Sequence, residues 1–296
     1  SRAKAFPAME LALGTVQFGL AYGVAGRGAP VPSGEVRAIL ARARALGVRW
    51  LDTAPAYGDI EERLTDLIGD HHEFSVVSKI PAAPAQLAPG AAAHWVTDTL
   101  NRSRDRLGHA LTAILFHRAE DLLDPQGIER WQAASAFASA HGLDLGVSCY
   151  GPGSLTEVTT RFPVTLAQLP GNALDQRLCH TPPADMSQMA IHVRSAFLQG
   201  LLLMPESDAC ARVPAAAAVL ERWHAWCRDH ESPPLEAALG LVKALPGATH
   251  CVVGVDSLAQ LEAIVAAWNE APAIVAPELA CDDVAVIDPR NWPSAD

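Results

Sequence analysis

Short apolar runs alternate along this chain with longer stretches whose apolar residues recur at helical spacing, and no other feature limits its fold as tightly. The first run is Leu11-Ala12-Leu13, followed by a glycine-rich loop through Gly19, Gly23, Gly26 and Gly28. Ser33 is the expected cap of a helix carrying Val36, Ile39, Leu40, Ala43 and Leu46 on one face, with Gly47 as its terminator. The cycle then repeats. Strands are expected at 48–52, 74–79, 111–116, 143–148, 164–168, 190–195 and 250–254. Helices are expected at 60–69, 90–107, 125–141, near 153–160, near 185–189, at 215–229, 234–245 and 257–269. Strands followed by helices imply parallel pairing through crossover connections. Eight such units in about 260 residues fit a closed (β/α)8 barrel better than an open sheet. The open-sheet alternative also lacks its nucleotide signature, because no GxGxxG follows the first strand and no Walker A motif occurs. The expected organisation is a single α/β barrel domain over 1–296. Its proline-rich tail, 271–296, folds back over the barrel as a loop carrying Trp292.

Composition narrows the function. Half of the 296 residues are hydrophobic, enough for a large core and too many for a disordered chain. The formal charge is −11, and no Lys/Arg cluster is long enough to follow a phosphate backbone, so nucleic acid is not an expected partner. Cys149, Cys179, Cys210, Cys227, Cys251 and Cys281 show neither a CxxC pair nor zinc-ligand spacing, and read as reduced thiols. No HExxH or facial-triad spacing appears, and His71-His72 falls in an expected turn, so no metal is expected. No apolar run approaches the ~20 residues a bilayer requires, so neither a membrane span nor a signal peptide is expected, and the location is read as cytoplasmic. Nothing in the pattern demands a protein partner, and a monomer is expected.

Four polar residues stand at the ends of successive apolar runs, where barrel chemistry is located. Asp52 ends Val48-Arg49-Trp50-Leu51, with Tyr57 close behind it; Lys79 ends Phe74-Ser75-Val76-Val77-Ser78; His117 ends Leu111–Phe116. A lysine at the buried end of a strand is costly unless paired. Asp52 supplies the pairing charge. The ammonium then favours phenolate and is expected to lower the pKa of Tyr57 from ~10, making it a general acid, while His117 orients a substrate carbonyl.

The segments Leu51-Asp52-Thr53-Ala54, Tyr57-Gly58, Ser78-Lys79 and Phe116-His117-Arg118 resemble, in order and position, the catalytic tetrad of the aldo-keto reductases. The resemblance implies hydride transfer from a nicotinamide, NADPH or NADH, to an aldehyde or ketone, with the proton from Tyr57. It also implies a cofactor site. Gly14 and Thr15 are similar to the first-strand motif beside the nicotinamide ribose, and Ser148 and Gln168 to the carboxamide partners, with Cys149 where the family usually has Asn. The segment from Arg194 through Ser195, Phe197, Gln199 and Gly200 resembles the loop around the pyrophosphate. Gly254, Val255, Asp256, Ser257 and Gln260 are similar to the last cofactor motif, where Ser257 also reads as a helix cap. That segment departs from the pattern, since Gln260 replaces the usual Arg and no Lys or Arg occurs from 244 to 289. A phosphate without a cation loses on the order of 1.5–3 kcal/mol, which predicts a weakened preference for NADPH.

Candidate substrate contacts are Gln17, Phe18, Tyr22, Arg118 and Trp292, with Trp95 a weaker candidate. Phe18-Gly19-Leu20-Ala21-Tyr22-Gly23 together with Phe197–Leu203 resembles a bacterial branch of the family linked to sugars, which implies a sugar-type or small polar carbonyl substrate. Two other readings compete: a Schiff-base aldolase using Lys79, and a nicotinamide-binding sensory barrel with little turnover.

Overall fold

The computed structural model describes residues 8–69, 73–85, 87–88, 90–183 and 186–293. The expected turn at His71-His72 and position 185 of the expected helix near 185–189 lie outside these residues. Eight parallel strands close into a barrel in sequence order, β1 (Glu10–Gly14), β2 (Trp50–Asp52), β3 (Ser75–Ile80), β4 (Leu111–Phe116), β5 (Asp144–Ser148), β6 (Leu166–Pro170), β7 (Ala190–Arg194) and β8 (Ala248–Gly254), with β8 pairing back onto β1. Helices alternate with them, so the chain is a single-domain (β/α)8 barrel.

Alternation along each strand separates two apolar regions. Outward residues such as Leu13, Leu51, Val76, Ile114, Val147 and Val193 join the helices in the main core. Inward residues Val77, Ala113, Leu115 and Leu166 form a small plug against Trp50. The same alternation sends neighbouring polar residues opposite ways on β3. Ser78 faces the helices and donates to Glu61 Oε1 at 2.6 Å, while Lys79 faces the barrel axis. Strand packing leaves no room for a side chain at Gly146, where a Cβ would stand 1.5 Å from the Leu166 carbonyl oxygen.

Helices Ser33–Ala45, Ile60–Ile68, Ala92–Leu107, Gly127–His141, Pro152–Thr159, Ala217–Asp229, Pro234–Lys243 and Leu258–Glu270 fall where periodicity predicts them. Gly47 ends the first with φ +89°, as its position implied. Ser33 does not cap that helix. Pro32 is the N-cap, and the Ser33 hydroxyl accepts from Arg63 at 2.9 Å instead. Near 185–189 the described residues form one 3-10 turn, Met186–Gln188. Helix Glu206–Arg212 is too short for its residues to establish a period in the sequence.

A second core buries Trp223 and Trp226 against Ala276, Leu279, Val286, Ile287 and Trp292, which fastens the tail to the helices after β7. Among the described residues no helix is long and apolar enough to cross a membrane. No disulfide joins the six cysteines, of which Cys149, Cys227 and Cys251 are buried.

A buried histidine, His192, and a partly buried one, His250, share the barrel interior with Trp50. His192 and His250 have ring centroids 4.3 Å apart, and neither ring nitrogen of His192 has a protein partner. Burial, with His250 adding for His192, lowers their pKa values from 6.5 to about 3 and about 4. Both stay neutral in the folded protein while the unfolded chain takes up protons below about 6.5. Stability is therefore complete above that pH and falls as pH drops from 6.5 toward 4. Denaturant midpoints measured across this window should decline, and His192→Leu should flatten the decline.

Candidate active site

Asp52 and Lys79 meet inside the C-terminal mouth of the barrel, with Lys79 Nζ 2.8 Å from Asp52 Oδ2 and both side chains nearly sealed from solvent. Nζ also donates to the Thr53 carbonyl at 2.9 Å, and Gln168 Nε2 donates to Asp52 Oδ1 at 2.8 Å. The Thr15 amide and hydroxyl both donate to the Asp52 carbonyl, tying β1 to β2 at this level. Burial works to lower the Lys79 pKa, but Asp52 and Tyr57 outweigh it, and the net shift is upward. Lys79 is thus a fixed ammonium.

Tyr57 stands over this pair, its ring centroid 5.0 Å from Lys79 Nζ, and the ring of His117 meets it edge-on at 6.1 Å. The expectation that Tyr57 titrates below its ordinary range is not met. Desolvation raises its pKa, Lys79 pulls it down, Asp52 pushes it up, and the net is above 10.0. The sequence revealed the cation but not the depth of burial. His117 is lowered to about 4, first by burial and then by the Lys79 charge, so it is neutral at pH 7.

Asp52 and Tyr57 line a cavity of about 490 Å³, while Lys79 and His117 stand behind its wall, against Asp52 and Tyr57. Asp52, Tyr57, Gln168 and Arg194 line one part, and Asp256, Gln260, Ala263 and Ile264 another. Gly14, Thr15, Gln17, Tyr22, Ser195, Phe197, Gln199, Gly200 and Gly254 also line it, so the structure gathers most of the predicted site around one space. Ser148 is buried beside it, its hydroxyl 3.5 Å from Gln168 Oε1. Val255 points into the main core. Ser257 caps helix Leu258–Glu270 by accepting from the Gln260 amide at 3.2 Å, and the Gln260 side chain accepts from the Asp256 amide at 2.7 Å.

Strained backbone and a helix N-terminus border this cavity. Ser195, Leu198 and Gln199 adopt φ values of 65°, 49° and 55°, a left-handed conformation costing about 1–3 kcal/mol per non-glycine residue and typical of ligand clamps. The absence of a side chain at Gly254 makes room for Gln17, whose amide packs over that backbone where a Cβ would come within 2.2 Å of Nε2. A 13-residue helix begins just beyond, an electrostatically favourable place for phosphate. The glycine-rich loop reaches both walls through Val24 N to Gln199 O at 3.1 Å and Arg27 Nη1 to Asp256 O at 3.1 Å. Arg27 corrects one inference from sequence: a cation does reach the segment that lacks its own, although Glu35 holds it at 3.2 Å.

Three predicted substrate contacts lie elsewhere. Phe18 is fully buried in the main core, because the single turn Val16–Gly19 rotates it away from Gln17. Arg118 is half exposed, 3.8 Å from Glu120. Trp292 packs in the second core and donates to the Val286 carbonyl at 3.0 Å. Trp95 packs against the main core. Conversely, the sequence reading gave Arg194 no role of its own. The signal is present, since β7 ends in a charged residue just as β2 does, and β3 carries Lys79 one residue before its end.

The model of the aldo/keto reductase family matches residues 10–274, and the chain belongs to that family of oxidoreductases. No curated protein matches it. Among solved structures, the aldo-keto reductase AKR11C1 from Bacillus halodurans, in its holo form, is 19% identical with a TM-score of 0.70, covering 95% of each chain. PA4992 of Pseudomonas aeruginosa, described as a candidate aldo-keto reductase, is 24% identical with a TM-score of 0.65, over 91% of this chain and 96% of that one. At these identities the neighbours establish the shared fold. Among the described residues no His/Cys/Asp/Glu group is arranged to hold a metal.

Asp52→Ala should cost about 3–5 kcal/mol by stranding a buried ammonium, and Asp52→Ala/Lys79→Met should recover most of it. Denaturant unfolding of the two variants checks this, and a double variant no more stable than the single would refute it.

Proposed function

We propose that the protein reduces an aldehyde or ketone to an alcohol with a reduced nicotinamide dinucleotide, Tyr57 donating the proton. The observation carrying this reading is the buried Lys79–Asp52 pair beneath the Tyr57 ring at the wall of a cavity of about 490 Å³. The dinucleotide supplies the hydride when bound. Tyr57, its pKa raised mainly by burial, holds its phenolic proton through neutral pH and presents it to the oxyanion forming on the substrate. Lys79 stabilises the phenolate left behind, and Asp52 keeps Lys79 charged and in register. Neutral His117 aligns the carbonyl beside the phenol.

Gly14, Thr15, Ser148 and Gln168 are assigned to the nicotinamide end, Ser195, Phe197, Gln199 and Gly200 to the diphosphate, and Gly254, Val255, Asp256, Ser257 and Gln260 to the adenosine end. Val255 serves through its backbone, since its side chain is buried in the core. Gln17 and Tyr22 face the substrate. A small polar, sugar-type carbonyl suits these contacts. The locked ammonium of Lys79 weighs against the aldolase reading, which needs a free amine.

Around the adenosine end, Arg27 pairs with Glu35 and donates to the Asp256 backbone carbonyl, with the Asp256 carboxyl near enough to feel its charge. A 2′-phosphate therefore meets one cation and two carboxylates, which favours NADH or dual use. Titration with both dinucleotides, followed by tryptophan fluorescence, should give a ratio of dissociation constants below about a hundred in favour of NADPH, if it favours NADPH at all. A larger ratio would refute the shared clamp. Binding without turnover on any carbonyl would instead identify a sensory barrel.

Tyr57→Phe should lower reduction by roughly 10²–10⁴ with dinucleotide binding kept. With the wild type, kcat/KM for reduction should stay level through neutral pH and fall only at alkaline pH, as the phenol with its raised pKa ionises. A decline centred near neutrality would contradict the assignment.

A further inference from the structure

The carbonyl end of the cavity carries an arginine that no carboxylate neutralises within ion-pair distance among the described residues. Arg194 ends β7 and lines the cavity with Tyr57, Asp52 and Gln168. Its Nη2 donates to the Cys149 carbonyl at 3.2 Å and its Nη1 to Ser195 Oγ at 3.3 Å, while Cζ lies 4.5 Å from the centre of the Tyr150 ring. All three partners are uncharged. An arginine has five N–H donors, so this arrangement orients the guanidinium and leaves donors for a ligand.

The surrounding charges do not cancel it. Lys79 and Asp52 neutralise each other at 2.8 Å, and His117 is neutral at pH 7. Asp288 feels Arg194 but is held by Arg290, at 3.0 and 3.1 Å from Nε and 2.5 Å from Nη2. Asp256 stands at the other end, beside Arg27. Lys79 and Arg194 against Asp52 leave one net positive charge at the carbonyl end. That charge is close enough to act on Tyr57, Tyr22 and His117 together.

We propose that Arg194 is a specificity-determining residue that binds a carboxylate on the substrate, so that the preferred substrates are oxo acids, aldehydes or ketones that also bear a carboxylate. The assignment rests on the reductase reading above. A planar guanidinium matches both carboxylate oxygens, and a charge-assisted pair is roughly twice as strong as a neutral hydrogen bond. A neutral analogue would desolvate the cation without replacing its lost partners, which is how polar sites discriminate strongly.

The test is steady-state reduction of para-carboxybenzaldehyde and of its methyl ester, preceded by dinucleotide titration. For the wild type, kcat/KM should favour the acid by about ten-fold or more, mostly through KM. Arg194→Gln should bring the ratio below about two, and Arg194→Lys, which keeps the charge, should restore part of it. A wild-type ratio of one or less overturns the assignment, whether or not Arg194→Gln folds. So does an Arg194→Gln protein that keeps the ratio and instead loses dinucleotide affinity, since Arg194 would then serve the cofactor. A wild type that binds neither dinucleotide overturns the reductase reading and this assignment with it, whereas one that binds dinucleotide without favouring the acid overturns the assignment alone.

Discussion

The contact between Lys79 and Asp52 organises this molecule's chemistry. Removing an ammonium and a carboxylate from water costs several kcal/mol per ion, and their attraction repays this only when geometry is good and other hydrogen bonds complete the shell. The barrel meets that condition. The Thr53 carbonyl takes a second Lys79 proton, and Gln168, from the far side of the barrel, donates to the second Asp52 oxygen. Closure of β1 through β8 brings these three strands' ends to one point, so the ion pair depends on the fold.

Tyr57 is governed by that pair together with its own burial. The two act in opposite directions, and burial prevails. A protonated phenol beside a fixed ammonium is a donor whose conjugate base is already stabilised, which suits reduction better than alcohol oxidation at neutral pH. The rest of the cavity distributes charge unevenly. Beside Tyr57, Arg194 leaves an excess of positive charge, while at the Gln260 wall Asp256 faces the cavity and Arg27 behind it is paired with Glu35.

Much of this was legible in the sequence because strand ends carry the chemistry and apolar runs mark the strands. Asp52, Lys79 and His117 could each be placed by the run preceding it. What could not be read depends on direction and distance. The turn at Val16–Gly19 decides that Gln17 faces the cavity and Phe18 the core, and no periodicity exists over four residues. Trp292 looked like a pocket aromatic, but the helices after β7 offered it a drier place beside Val286 and Ile287. Arg27 lies 229 positions from Asp256, so its approach follows only from closure of β1 against β8. The sign of the Tyr57 shift is not legible in the sequence, which shows the charges near a group more readily than how much water the group loses.

The most direct test of this account is the ionisation of Tyr57 in the native protein, followed by phenolate absorbance. The chain has three tyrosines, so subtracting the titration of Tyr57→Phe isolates the signal. Tyr57 is expected to ionise above the ordinary value of about 10, and Lys79→Met to move it higher still. Ionisation near neutrality, or no response to loss of Lys79, would contradict the claim that burial and the Lys79–Asp52 pair jointly set the proton on Tyr57.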